Sequence, residues 1–265
     1  RMSVPTRRDW LKLAAIGPAA LARLPQLAAA PGADAVKAVV DKALAFCKGA
    51  QKADGNFYDT PLIEPGLTAM LAAAFLRNGV PADNAVVAKA IGYLEKTIQS
   101  DGGVYIKGLS NYMTCLAIMT FKEANTGGKY DKVLAAAAKY VKMLQFGDGL
   151  KADDPQFGGA GYDKPGTRGG PDLSNTHFMV EALLAAGVSK DDPAIRNAVL
   201  YISRSQNLES EFNTLTYAAK ASDADKGGFV YNTGAANDPK SEKRSATGGL
   251  RSEGGMTLSL IHISE

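Results

Sequence analysis

The sequence predicts an all-α fold, an array of about four helical hairpins stacked side by side. Three observations carry this reading. A glutamine recurs at Gln51, Gln99, Gln145 and Gln206, with spacings of 48, 46 and 61 residues. An aromatic residue stands five or six positions before each one, at Phe46, Tyr93, Tyr140 and Tyr201, and a Gly-rich turn follows each. Between these marks run Ala- and Leu-rich stretches, and the 46% apolar content suits closely packed helices. A unit of this size cannot bury its own apolar face, so neighbours must stack.

In chain order, the first outer helix is expected over 35–50, and Asp54-Gly55 turns the chain after Gln51. The first inner helix, 65–77, puts Leu67, Met70, Leu71, Ala74 and Phe75 on one face, and Gly79 ends it. A second pair follows at 84–98 and 109–124, divided by Asp101-Gly102-Gly103 and closed by Gly127. The third outer helix, 129–144, leads into a Gly-, Asp- and Pro-rich insertion over 147–171. The third inner helix, 174–186, carries Phe178, Ala182, Leu183 and Ala186 on one face, with Gly187 after it. Ser174 or Asn175 is its expected cap. Pro193, behind Asp191-Asp192, opens the fourth outer helix at 193–205. A polar insertion over 207–249, with a short helix near 214–221, precedes an inner helix starting near Gly255. Long insertions in an array gather on one rim and often carry function.

The net charge of +3 is uneven: residues 1–30 carry +4, which leaves about −1 for the rest. That gives no electrostatic case for a nucleic-acid partner. Thr6-Arg7-Arg8-Asp9-Trp10-Leu11-Lys12 precedes a weakly apolar stretch ending in Ala28-Ala29-Ala30. It resembles a bacterial twin-arginine signal peptide over 1–30, which implies export to the periplasm or cell envelope. Arg23 and Pro25 make this stretch a poor membrane span, so the chain is not expected to be transmembrane. At the other end, 258–265 breaks the repeat in mid-helix and resembles a translated sequencing adapter. The expectation is a non-native tail containing His262, a natural protein that continues past Thr257, and His177 as its one histidine up to there.

Tyr140-Val141 before Gln145, Tyr201-Ile202 before Gln206, and Gln51 before Gly55-Asn56-Phe57 share one pattern: aromatic, aliphatic, three residues, Gln, then Gly-x-aromatic. The pattern resembles the repeat of squalene–hopene cyclases and their relatives, the prenyltransferase and squalene-oxidase repeat, over about 35–257. It is also similar to exported bacterial proteins of planctomycete type that share this architecture. The resemblance implies an α/α toroid, with paired helices in two concentric rings around an apolar cavity. The chain would form part of one, about four hairpins of about six. It implies that each glutamine bonds the start of the neighbouring helix and that each aromatic stacks on the preceding unit. The family's Trp is missing from the mature chain, and Phe57, Tyr105, Phe157 and Phe229 take its place without an indole N–H.

Class II terpene cyclases protonate an alkene with the middle aspartate of Asp-x-Asp-Asp-Thr. The matching stretch is Asp172-Leu173-Ser174-Asn175-Thr176. Ser174 stands where the donor would be, and a hydroxyl is not acid enough for that step. Asp172 and His177 are the remaining catalytic candidates. Protein prenyltransferases bind zinc through Asp, Cys and His and need a partner subunit. Cys47 falls in an outer helix and Cys115 in an inner one, no Asp-x-Cys occurs and His177 has no evident co-ligands, so neither metal nor cofactor is expected. Whether the two cysteines pair is not decided by sequence. The Gly-rich run 158–170 reads as a structural turn or, through Lys164 or Arg168, as a diphosphate contact. Asp153-Asp154 could hold a cation, and one histidine supports no Ser-His-Asp set. Tyr112, Met113, Met119, Phe121, Phe178 and Met179 lie on inner helices, where they either line the cavity or pack. The function expected is an exported repeat protein with a pocket for an isoprenoid or another apolar small molecule, lacking the cyclase acid. One alternative is a non-catalytic scaffold that binds a protein or envelope polymer through its rim loops. The other is a terpene cyclase, prenyltransferase or lyase-like enzyme whose catalytic residues lie beyond this sequence.

Overall fold

A computed structural model describes residues 32–167 and 169–261; the signal peptide, Trp10, Arg168 and His262 lie outside the described residues. Among the described residues the chain is all-helical, with isolated β-bridges but no strand. Helix α1 (Ala33–Gly49) comes first, and the outer helices after it are α3 (Ala85–Glu95), α5 (Asp131–Met143) and α7 (Pro193–Ser205). Four inner helices are α2 (Glu64–Arg77), α4 (Ser110–Glu123), α6 (Leu173–Ala185) and α9 (Gly254–Ile261); the short α8 (Thr216–Ala219) lies in the second insertion. The chain divides between Phe46 and Cys47 into two compact units. In the second unit α4 packs between α2 and α6 in one layer, and α3, α5 and α7 back α2, α4 and α6. This is the two-layer arrangement of an α/α toroid.

Caps follow the expected residue types. Asn84 accepts from the Val86 N–H at 3.1 Å to start α3, and Asp192 accepts from Ala194 N–H at 2.9 Å to start α7. The α6 cap is Asp172, which accepts from Asn175 N–H at 2.8 Å, rather than Ser174 or Asn175. Helix α6 begins at Leu173, which leaves those two residues inside its first turn. Helices α2 and α6 close alike: Gly79 and Gly187 take φ +82° and +86°. Val80 N–H and Val188 N–H then reach back to Phe75 and Leu183 carbonyls, at 3.1 and 3.0 Å.

The repeat register corrects one expectation. Lys52, Gln99, Phe146 and Asn207 each donate a backbone N–H across the turn, to Asn56, Gly103, Gly159 and Gly228, all at 2.8 Å. Gln99 is therefore equivalent to the residue after Gln51, Gln145 and Gln206, and Ile98 holds the glutamine position. The extra residue between Tyr93 and Gln99 shifts it. Gln51 Nε2 donates to Gly55 and Val86 carbonyls (3.2 and 2.8 Å), and Gln145 Nε2 to Gly158 and Ala194 carbonyls (both 2.8 Å). Each thus ties its own turn to the next outer helix. Gln99 reaches only Thr97 and Tyr105 carbonyls in its own loop, at 3.2 and 2.7 Å. Cys47 and Cys115 are free thiols.

Candidate functional site

The inner helices share a scaffold at their starts. Glu64, Ser110, Asp172 and Glu253 each stand four residues before a threonine: Thr68, Thr114, Thr176 and Thr257. Thr114 and Thr176 Oγ1 accept from Val104 and Ala160 N–H at 2.9 Å, and Thr257 Oγ1 from Phe229 N–H at 3.1 Å. The same hydroxyls donate back to the carbonyls of Ser110, Asp172 and Glu253. The threonine therefore pins the Gly-rich loop to the inner helix in three units. Asp172 and Thr176, the two positions matching the cyclase motif, belong to this scaffold. The Asp172 carboxylate, 3% exposed, accepts from Asn175 N–H, Asn175 Nδ2 and Ser174 Oγ, each at 2.8 Å. It is engaged wholly as an acceptor on the first turn of its own helix.

Because the helices start in register, the residue two beyond each threonine falls on one face: Met70, Leu116 and Phe178. With Ala73, Ala74 and Met119 they floor a groove of about 340 Å³, bounded by Arg77, Asn78 and Glu181. Three successive units thus contribute one side chain each to an apolar strip. The boundary is charged. Arg77 Nε donates to Glu123 at 3.0 Å. His177 Nε2 lies 3.1 Å from Glu181 Oε1 and stacks on Phe178 at 5.8 Å between centroids. That imidazole–carboxylate contact is close, though poorly aligned for a hydrogen bond. His177, then Arg77, hold the Glu181 carboxyl below its ordinary range.

At one end of the groove Tyr112 meets Phe178 edge-on, with centroids 5.1 Å apart, and Tyr162 at 6.1 Å. Tyr162 comes from the first insertion and Tyr231 from the second; their hydroxyls lie 3.4 Å apart, and Tyr231 lies 3.3 Å from Ser174 Oγ. Burial pushes the Tyr112 and Tyr231 phenols above their usual range. Both insertions therefore converge on the starts of α4 and α6. Asn111 N–H donates to Tyr162 carbonyl and Leu173 N–H to Tyr231 carbonyl, at 3.0 and 2.8 Å.

Of the six expected pocket residues, Met119 and Phe178 line the groove and Tyr112 flanks it. Met113, Phe121 and Met179 are 1%, 0% and 0% exposed and pack between helices instead. Met113 Sδ would lie 2.3 Å from a Cβ placed on Gly66, and Phe121 sits on Tyr130 at 4.8 Å. Met70, Leu116, Arg77 and Glu181 were missed, although counting two residues past each threonine finds the first two. The phosphate expectation at Lys164 meets an occupied site, because Asp163 Oδ1 already accepts from Ser110 N–H at the start of α4, at 2.8 Å. Asp154 Oδ1 accepts from Gln156 N–H at 2.7 Å in a local turn, and the described residues contain no metal-competent cluster of three or more. A larger cleft of about 570 Å³ opens beside α3, lined in part by Glu95, Lys129 and Tyr130. There Tyr130 and Lys129 both engage Glu95, at 2.7 and 3.4 Å, so its polar groups already satisfy one another. The inner groove differs from this cleft in being built by consecutive units. Among the described residues no helix is long and apolar enough to cross a membrane.

The family model of the squalene-hopene cyclase C-terminal domain matches residues 59–224, more than half of the chain. The chain belongs to that family. No curated protein matches it.

Proposed function

We propose that this member of the squalene-hopene cyclase family is an exported protein that holds an isoprenoid or similar lipid in its inner-helix groove without cyclising it. The observation that carries the reading is the strip Met70, Leu116 and Phe178, set at one register on three successive inner helices. Ser174 at the place of the proton donor, with Asp172 engaged as a cap, supports binding without alkene protonation. Lipid extraction of the purified protein followed by mass spectrometry tests it. A polyisoprenoid should co-purify, and squalene incubated with the protein should be recovered unchanged. An empty extract together with no squalene uptake would overturn the binding, and a cyclised product would overturn the lack of chemistry. Export rests on Arg7-Arg8 and the stretch after them. Replacing both with lysine should leave the protein in the cytoplasmic fraction of a host with a twin-arginine system.

A further inference from the structure

The strip that floors the groove continues one turn toward the helix starts, and there its chemistry changes. Leu116 and Phe178 stand two residues after their threonines, and Tyr112 and Ser174 stand two residues before the same threonines. Each pair is therefore four residues apart on one helix face. The insertions supply the rest of this end. Tyr162 and Tyr231 are held by the backbone bonds from Asn111 and Leu173, and the Tyr162 ring packs on Tyr112. Three hydroxyls then run in a line. Tyr162 Oη lies 3.4 Å from Tyr231 Oη, Tyr231 Oη lies 3.3 Å from Ser174 Oγ, and Ser174 donates to Asp172 Oδ1 at 2.8 Å.

The carboxylate at one end sets the direction of the whole line. Each hydroxyl has one proton to give. Ser174 spends its proton on Asp172, whose oxygens also accept from Asn175 N–H and Nδ2. Toward Tyr231, Ser174 can then only accept, and the one arrangement that makes every bond has Tyr162 donating to Tyr231. All three protons point toward Asp172. Tyr162 Oη has no other partner among the described residues, so it ends the line with lone pairs and no proton to spare. Such a terminus takes a donor and offers nothing to an acceptor.

An anionic head is disfavoured at both ends of the strip. At the hydroxyl end, Asp172 and Asp163 cap α6 and α4 with negative charge of their own. At the other end α2 and α4 finish, which presents the negative ends of their dipoles. There Arg77 is outnumbered by Glu123, at 3.0 Å, and Glu181. An ammonium head would bring three donors and a charge to a single acceptor.

We infer that the groove selects a neutral long-chain alcohol, its chain along Phe178, Leu116 and Met70 and its hydroxyl donating to Tyr162 Oη. This rests on the lipid reading above and narrows it, because the oxygen-free hydrocarbon and the diphosphate become the poorer ligands.

Equilibrium binding to the full chain tests it, with farnesol, its methyl ether, the matching hydrocarbon and farnesyl diphosphate, each delivered from cyclodextrin. The ether keeps the oxygen but has no proton to give. Farnesol should bind about five- to tenfold tighter than the ether or the hydrocarbon, the effect of one net hydrogen bond. The diphosphate should bind more weakly than farnesol. Tyr162→Phe should bring farnesol down to the level of the ether. Tyr231→Phe frees the Tyr162 proton for the ligand, so the ether should gain and the preference should vanish; a merely structural role would weaken every ligand together. Dodecanol matching farnesol would mark the hydroxyl alone as the determinant, and weaker dodecanol would add the isoprenoid chain to it. Equal binding of alcohol, ether and hydrocarbon leaves the lipid reading standing and overturns this inference, as does a diphosphate that binds tighter than farnesol. No binding by any of them overturns both.

Discussion

Glutamine is the residue on which the repeat turns, and Ile98 shows what it contributes. Gln51 and Gln145 each bridge a turn and the next helix through two carbonyls; Ile98 sits at the same register with no donor. Ile98→Gln should let an amide reach the α5 first turn. A net hydrogen bond contributes about 1 kcal/mol, partly offset by the lost Ile burial, so the variant should melt up to a few degrees higher. A calorimetric scan showing a lower midpoint would count against the register. The motif was readable as a period, but Gln99 mimicked it one residue late, and only the cross-turn bonds separate the two. His177, a catalytic candidate by sequence, lies beside Glu181 at the groove boundary. The carboxyl of Glu181 is depressed in the fold, so its contribution is complete above the ordinary value of 4.5 and is lost as pH falls through the lower folded value. Wild type should therefore exceed Glu181→Gln in urea resistance at neutral pH, with the gap closing in strong acid. The group is half exposed, which keeps the gap small.

Helix starts divide by whether the cap is local. Asp172 and Asp192 lie directly before α6 and α7, and a sequence reading places those starts within a residue. Helix α4 is different. Its preceding residue, Leu109, has φ 51°, the one positive value outside glycine among the described residues, and offers no side-chain cap. The acceptor is Asp163, 53 residues away on the first insertion. No local pattern could announce that, because the pairing exists only once two units are stacked. Asp163→Ala should cost about 1–2 kcal/mol, the range of a lost N-cap with a favourable helix dipole, and should loosen the insertion that carries Tyr162. Urea unfolding measures the first effect, and amide exchange at Tyr162 and Asn111 the second. The inner helices also explain why pocket residues were only half legible. Helix α4 is buried on nearly every face, so apolar periodicity does not tell its groove side from its packing side. The threonine register does, because the loop it pins lies on a known side of each helix.

At the scale of the molecule, stability should reside as much between units as within them, since the turn glycines Gly55, Gly102 and Gly158 each accept the outer helix of the next unit. Gly158 and Gly227 separate the two contributions. Their φ values are 88° and 84°, so replacing either with alanine imposes similar left-handed strain, about 1–2 kcal/mol. At Gly227 nothing described stands near the added methyl, whereas at Gly158 it would meet the Asn197 carbonyl oxygen at 2.0 Å. The backbone of α7 would have to withdraw, taking Tyr201 and the Gln145–Ala194 bond with it. Gly158→Ala should therefore destabilise by several kcal/mol more than Gly227→Ala, in the upper range for a core disruption. Urea unfolding of the two variants side by side makes the comparison. Equal losses would mean that the close approach of α7 contributes little, and that the units are held by their inner helices alone.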